Sequence, residues 1–294
     1  MLTSAVQQQV EAYWNAKPCD SEFTALKGLT REFFLAVESE RYRLQWHIPK
    51  LLDEFNWAGK RVLEIGTGVG TDARQLIGRG ASYSGINIDA GSTAATSAAL
   101  ETFGLPGHVL QANATHMRFP EASFDFVYTF GVLHHIPDAG AAISEIRRLL
   151  KPGGEVLAMV YNRTSINYAI EIKFLRKLGV QLLRIPGCVD ALARRGLPRD
   201  KLVRHRALAQ RAWRMSDEEW LSRNTDGPDN PYSRVYDEEE AAALFAGFDL
   251  LSQRVCYFNH EHWGPLGRAL PRALLEALGQ RWGWHRIVHA RKPG

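Results

Sequence analysis

The sequence predicts an α/β chain with a mostly parallel, doubly wound sheet of seven strands, preceded by a helical N-terminal lid and interrupted by a helical cap insertion. Three observations carry this. Residues 61–161 alternate short apolar runs with helical stretches, the pattern of strand-helix-strand units that build a parallel sheet. The first run, 62–65, ends in glycines at alternate positions, Gly66, Gly68 and Gly70, where the chain must turn sharply into a helix. Two further strand-like runs near the C-terminal end, 249–259 and 287–290, bring the count to seven.

The elements follow in order. Residues 1–58 read as helical. Val6, Val10, Tyr13 and Trp14 recur at helical spacing, and a second pattern over 30–52 carries Phe33, Phe34, Val37, Tyr42, Leu44 and Ile48, with Pro49 expected to break it. The core, 59–162, then runs strand 62–65, helix 72–79, strand 82–88, helix 92–103, strand 108–112, strand 124–130, helix 139–150 and strand 155–161. In such sheets a ligand sits beyond the carboxyl ends of the strands, where the strand order reverses. The residues directly after each strand are therefore the informative ones. An insertion, 163–235, follows as a cap. It contains an apolar run over 168–183 interleaved with Lys173, Arg176 and Lys177, then a basic helix over 201–213. Residues 236–294 complete the sheet through a helix at 237–245, a strand, a helix at 266–278 and the last strand.

Composition bounds the function. With 294 residues, 45% hydrophobic and 23% charged, the chain can bury a sizeable core. No apolar run approaches the ~20 residues of a membrane span, and the polar N-terminus does not read as a signal peptide. Cys19, Cys188 and Cys256 are far apart without metal-ligand spacing, so a reduced, cytoplasmic protein lacking a structural metal is expected. From Arg163 to Arg214 thirteen Lys or Arg face only Glu171, Asp190 and Asp200, a local balance of +10 in a chain of net +4. That asymmetry suits either an anionic partner surface or a solvated helical face.

Four segments carry chemistry. Glu64 precedes the glycines as Glu64-x-Gly66-x-Gly68-x-Gly70, where a phosphate would be repelled and an aminium or sulfonium attracted. Asn113 and Ala114 follow the third strand and lead into Phe119-Pro120 and Ser123-Phe124-Asp125. Phe130-Gly-Val-Leu-His134-His135-Ile-Pro-Asp138 follows the fourth, and Leu150-Lys-Pro-Gly-Gly154 precedes the fifth. Together these resemble the class I S-adenosylmethionine-dependent methyltransferases of small-molecule type. The resemblance implies the Rossmann-like methyltransferase fold, with S-adenosylmethionine as cofactor and S-adenosylhomocysteine as product, and an antiparallel hairpin at the sheet edge. It implies cofactor contacts from Glu64, Gly66, Thr67, Gly68, Gly70, Asp72, Asn87, Ile88, Asn113, Ala114 and Phe130. Asn87 stands where the family usually places the ribose-binding carboxylate, and Asn113 where it places an adenine-binding aspartate. An amide can both accept and donate at either position. Asp89 is a substitute for the first and also a helix N-cap.

Methyl transfer needs a nucleophile held close to the methyl group in a dry site, helped by a base near neutral pH where the nucleophile bears a proton. His134 and His135 are the candidates, either of them equally open to a purely structural role. In phosphoethanolamine-type relatives the histidine after the leucine pairs with an N-terminal tyrosine, which here implies His134 with Tyr13. Trp14, Tyr161, Tyr168 and Tyr236 are the rings expected to line a substrate pocket, which favours a small aromatic or apolar metabolite methylated on oxygen, nitrogen or carbon. Two alternatives stand beside it. One is a lipid or quinone acceptor reached from a membrane surface through the basic insertion, and the other a cofactor-binding regulator without catalysis, suggested by the two amides. Gly131-Val-Leu-His134 in place of N-P-P-Y argues against a nucleic-acid acceptor. Monomer and homodimer remain open.

Overall fold

The computed structural model describes residues 2–294. Its helices are α1 Leu2–Ala16, α2 Arg31–Leu44, α3 His47–Asp53, α4 Thr71–Gly78, α5 Ala90–Phe103, α6 Ala139–Leu149, α7 Arg176–Leu182, α8 Cys188–Ala193, α9 Arg199–Leu208, α10 Asp217–Ser222, α11 Glu238–Leu244, α12 Gly264–Arg268 and α13 Arg272–Trp282. Its strands are β1 Arg61–Ile65, β2 Ser82–Asn87, β3 His108–Gln111, β4 Phe124–Phe130, β5 Leu150–Tyr161, β6 Asp249–Cys256 and β7 His285–Arg291. A π-helical stretch, Asn167–Leu175, runs straight into α7.

The chain divides into two compact units. The first holds the chain up to Val160, Glu238–Arg254 and the segment from Arg286 onward. The sheet has the order β3-β2-β1-β4-β5-β7-β6. β1 pairs in parallel with β2 and with β4, β2 with β3, and β4 with β5. The order therefore reverses between β1 and β4, which places a crevice beyond Ile65 and Phe130. Lys292, beyond the end of β7, exchanges backbone hydrogen bonds with Gly153 and Gly154 near the start of β5, so β7 runs antiparallel to β5. The sheet is mixed, as the C-terminal hairpin expectation requires.

β1 and β4 are buried along almost their whole length because helices cover both faces of a parallel sheet. On one face Phe33, Phe34 and Val37 of α2 pack with Val69 and with Ala95 and Ala99 of α5, the small side chains letting the helices approach closely. Thr30 caps α2 by accepting from the Phe33 amide, and Asp89 caps α5 by accepting from the Ser92 amide at 2.6 Å.

Two boundaries differ from the sequence expectation for identifiable reasons. The pattern over 30–52 is two helices, α2 and α3, separated at Gln45 and Trp46. Pro49 lies within the first turn of α3, where a helix has no partner for the missing N–H. The stretch over 266–278 is likewise two helices, α12 and α13, with Pro271 the N-cap of the second.

The second unit comprises Tyr161–Asp237 and Val255–His285. This unit groups the insertion 163–235 with residues 255–285, which lie in the stretch 236–294 expected to complete the core. The two halves are joined by a hydrogen bond from the Asn162 amide to the Trp284 carbonyl and by stacking of Tyr161 on Trp284 at 4.3 Å. The Asn167 side chain donates to the Asn259 carbonyl and accepts from the Asn259 amide, and Glu171 accepts from His262. Trp220 is wholly buried and donates its indole N–H to the Ile172 carbonyl.

Candidate functional site

A cavity of about 780 Å³, part of it open to solvent, lies in the first unit at the carboxyl ends of four adjacent strands. Ile65 ends β1 and Gly66 follows it, Ile86 and Asn87 end β2 and Ile88 and Asp89 follow, Ala112 to Ala114 follow β3, and Phe130 ends β4 before Gly131 and Val132. That is the switch point of the sheet.

The floor is bare backbone. Gly66 has φ +80°, and a Cβ there would stand 2.2 Å from a methyl of Val132. Only glycine lets β1 and the segment after β4 meet this closely. The glycine turn is held from β2 and α5. Asn87 accepts from the Thr67 amide at 2.8 Å and donates to the Thr67 hydroxyl at 2.7 Å, and the Thr96 hydroxyl donates to the Gly68 carbonyl at 3.0 Å. Asn113 accepts from the Thr115 amide, closing its own turn. Both amides line the cavity while serving the loops that shape it.

Behind the floor lies a buried polar network. Asp72, at the start of α4, accepts from Arg41 at 2.9 Å, Tyr42 at 2.8 Å and Tyr128 at 3.0 Å. Arg41 also pairs with Asp20. Burial, then the Asp72 charge, raises the Tyr42 and Tyr128 hydroxyls well above the ordinary tyrosine range. Glu64 is 3% exposed and accepts from the Tyr83 hydroxyl at 2.6 Å. Burial, reinforced by Asp72, pushes its carboxyl up to about 8. Glu64, Thr67, Gly70 and Asp72 do not line the cavity, whereas Gly66, Gly68, Asn87, Ile88, Asn113, Ala114 and Phe130 do.

The wall opposite the sheet comes from the N-terminal segment. Gln7, Val10 and Trp14 of α1 and the following Cys19 face the cavity. Asn15 accepts from the Gly91 amide at 3.0 Å, fixing α1 at the start of α5. Trp14 meets His135 edge-on at 5.2 Å, and Tyr13 stands edge-on to Trp14 at 5.0 Å. The two histidines differ in place. His135 lines the cavity, while His134 is fully buried beneath it with its ring 4.3 Å from that of His135.

The expected substrate residues divide between the units. Trp14 lines the cavity of the first unit. Tyr161, Tyr168 and Tyr236 belong to the second, where Tyr161 bonds Asp226, Tyr168 is buried at the edge of a separate cleft and Tyr236 lies under the Arg234 guanidinium. The sequence reading passed over Gln7, Cys19, Val132, Ile136 and Pro137. Val10 carried a signal, since it precedes Trp14 by one helical turn, but Cys19 carried none.

The residues present fit S-adenosylmethionine. The glycine floor admits a ligand where a Cβ would collide, Ile65, Ile86, Ile88 and Ala114 offer apolar walls for an adenine, and the Asn87 and Asn113 amides stand beside it.

Comparison with known proteins agrees. Residues 63–158 match the family model described as a methyltransferase domain. A sterol 24-C-methyltransferase of Gibberella zeae is 38% identical over 99 residues, 33% of this chain and 26% of that protein. A ubiquinone biosynthesis O-methyltransferase of Stutzerimonas stutzeri is 33% identical over 144 residues, 48% of this chain and 60% of that protein. The chain thus spans less than two thirds of either relative's own length. Among solved structures, geranyl diphosphate C-methyltransferase from Streptomyces coelicolor A3(2), solved with S-adenosyl-L-homocysteine, aligns over 98% of both chains at TM-score 0.56 and 13% identity. The [4+2]-cyclase SpnF aligns over 99% of this chain and 95% of its own at TM-score 0.54 and 15% identity. At such identities the likeness is one of fold. Residues 63–158 thus match a methyltransferase domain, and the glycine-rich turn and switch-point cavity lie in a seven-stranded sheet of the Rossmann-like methyltransferase fold.

Proposed function

We propose that the chain transfers the methyl group of S-adenosylmethionine to a small, largely apolar acceptor, with His135 as the base. The observation that supports this reading best is the placement of His135 and Trp14 on the wall of an apolar-lined cavity at the strand ends. The cofactor supplies an electrophilic methyl carried on a sulfonium. Gly66 and Gly68 would hold it against backbone, Asn87 and Asn113 would meet its polar edges, and Val10, Trp14 and Ile136 would keep water from it. His135 would take the proton of an acceptor hydroxyl or amine, the ordinary role of an imidazole at neutral pH. His134, wholly buried, would position His135 by packing against its ring. The relatives named for sterol and ubiquinone chemistry support an acceptor of that apolar kind. We place the protein in the cytoplasm, with its three cysteines reduced.

The test is turnover of radiolabelled S-adenosylmethionine with quinol, phenol and sterol acceptors, alongside calorimetric binding of cofactor and product. His135→Gln should lower turnover on a protonated acceptor by ~10²-fold or more while leaving cofactor affinity within a few-fold. Unchanged turnover would remove His135 from the reaction. The internal use of Asn87 and Asn113 supports a second reading, a cofactor-binding regulator, because both amides already serve loop hydrogen bonds. Cofactor binding without turnover on any acceptor class would favour it.

A further inference from the structure

The π-helical stretch and α7 are apolar on two sides. One side carries Tyr168, Ile172, Val180 and Leu183, all buried within the second unit. The other carries Ile170, Phe174, Leu178, Leu182 and Ile185, each 47 to 57% exposed. Steps of four residues run Ile170, Phe174, Leu178 and Leu182 along the helix, and Ile185 follows in the turn after α7. Here one side has neighbours and the other faces solvent. Single exposed aliphatics are ordinary, but a continuous row of five large ones is not.

Cationic side chains follow the stripe along the chain: Arg184 lies between its last two members, and the exposed Arg194, Arg195, Arg206 and Arg214 come after it on α9 and the connections around α8 and α9, while Lys173 and Lys177 of the same helix pair with Asp217. Trp213, 56% exposed, has its ring 5.6 Å from the Lys177 ammonium of α7 and lies beside Arg214. An amphipathic aromatic flanked by arginines beside an apolar row is the arrangement that settles at a headgroup boundary.

We infer that this face is a docking surface for an anionic lipid bilayer, with the stripe entering the acyl boundary and the arginines meeting the headgroups. Charge decides against a second copy as the occupant. Residues 163–214 carry a formal +10; Lys173, Arg176, Arg199, Arg204 and Arg211 are ion-paired, and a two-fold contact through the exposed Arg184, Arg194, Arg195, Arg206 and Arg214 would set like charges against one another. An anionic leaflet attracts the same residues. The inference rests on the second unit alone and does not depend on the reaction proposed for the first.

Flotation of the full chain with vesicles tests it without an activity readout. The protein should float with phosphatidylcholine vesicles containing phosphatidylglycerol, several-fold less with phosphatidylcholine alone, and less as salt rises. Phe174→Glu with Leu178→Glu should reduce partitioning at least ~tenfold. These side chains are half exposed, so the melting temperature should stay near that of the parent. Arg194→Gln with Arg195→Gln and Arg206→Gln, entirely on the surface, should weaken binding to anionic vesicles and flatten the salt dependence. Failure of the parent to float with anionic vesicles would overturn the inference. So would undiminished flotation of either variant, or a parent dimer that the Phe174→Glu, Leu178→Glu pair dissolves, since the stripe would then be covered by its own copy.

Discussion

Glu64 and Asp72 show how a binding motif is supported from behind. Asp72 has its acceptor sites taken by Arg41, Tyr42 and Tyr128, so it ties α2, α4 and β4 together at the point where the glycine turn begins. Glu64 lies deeper, and its burial makes ionisation costly. The sign of the consequence follows from linkage. A carboxyl raised from 4.5 to about 8 keeps its proton in the folded chain while the unfolded chain loses it, so stability falls as pH rises through that window. Each pKa unit corresponds to about 1.4 kcal/mol, which bounds the effect at a few kcal/mol. Glu64→Gln, a permanently neutral substitute of the same shape, should flatten the decline between pH 5.5 and 8 in denaturant titrations. An equal decline in parent and variant would show that Glu64 is not its source. The sequence showed the acid before the glycines but could not show the Tyr83 hydroxyl beneath it, which comes from a neighbouring strand. It likewise placed Asn87 by motif position, while the Thr67 contacts depend on the turn that the glycines allow.

At the level of elements, the core was legible because its signals are local. Apolar runs bounded by glycine or by a capping residue gave strands β1 to β4 and the helices between them to within a residue or two. What periodicity could not give was the role of α1, because an amphipathic helix shows that it has an apolar face and not what that face meets. In the structure that face supplies Val10 and Trp14 to the cavity, and Asn15 fastens the helix to α5. Removing residues 2–16 should therefore leave the sheet folded, since α2 and α5 keep their own contacts, yet weaken S-adenosylmethionine binding. Losing the burial supplied by two such side chains is worth ~2–3 kcal/mol, or roughly 30- to 150-fold in Kd. Calorimetry on the truncated and parent proteins reads this directly. Equal affinity would mean that α1 does not enclose the cofactor.

Across the whole molecule, the chain leaves the first unit twice. It departs after Val160 and returns at Glu238, then departs after Arg254 and returns at Arg286. An insertion read from sequence as one contiguous piece, 163–235, is therefore only part of a unit, and its remainder lies in a stretch whose strand and helix signals resemble the core's own. The reason is physical. Tyr257, Phe258 and Trp284 are buried, with Trp284 against Tyr161, Tyr257 near His285 and Phe258 against Trp263. The Asn167–Asn259 and Glu171–His262 bonds add polar contacts between the halves. A variant that replaces 163–235 by a short linker would strip these partners from 255–285 and expose aromatic surface. It should aggregate or melt well below the parent. Deleting 255–285 as well, with linkers at both junctions, removes the orphaned half and should recover a soluble sheet. Comparing soluble yield and melting temperature of the two deletions decides the matter. If the single deletion is soluble and melts with the parent, the two halves fold independently and the contiguous boundary is the right one.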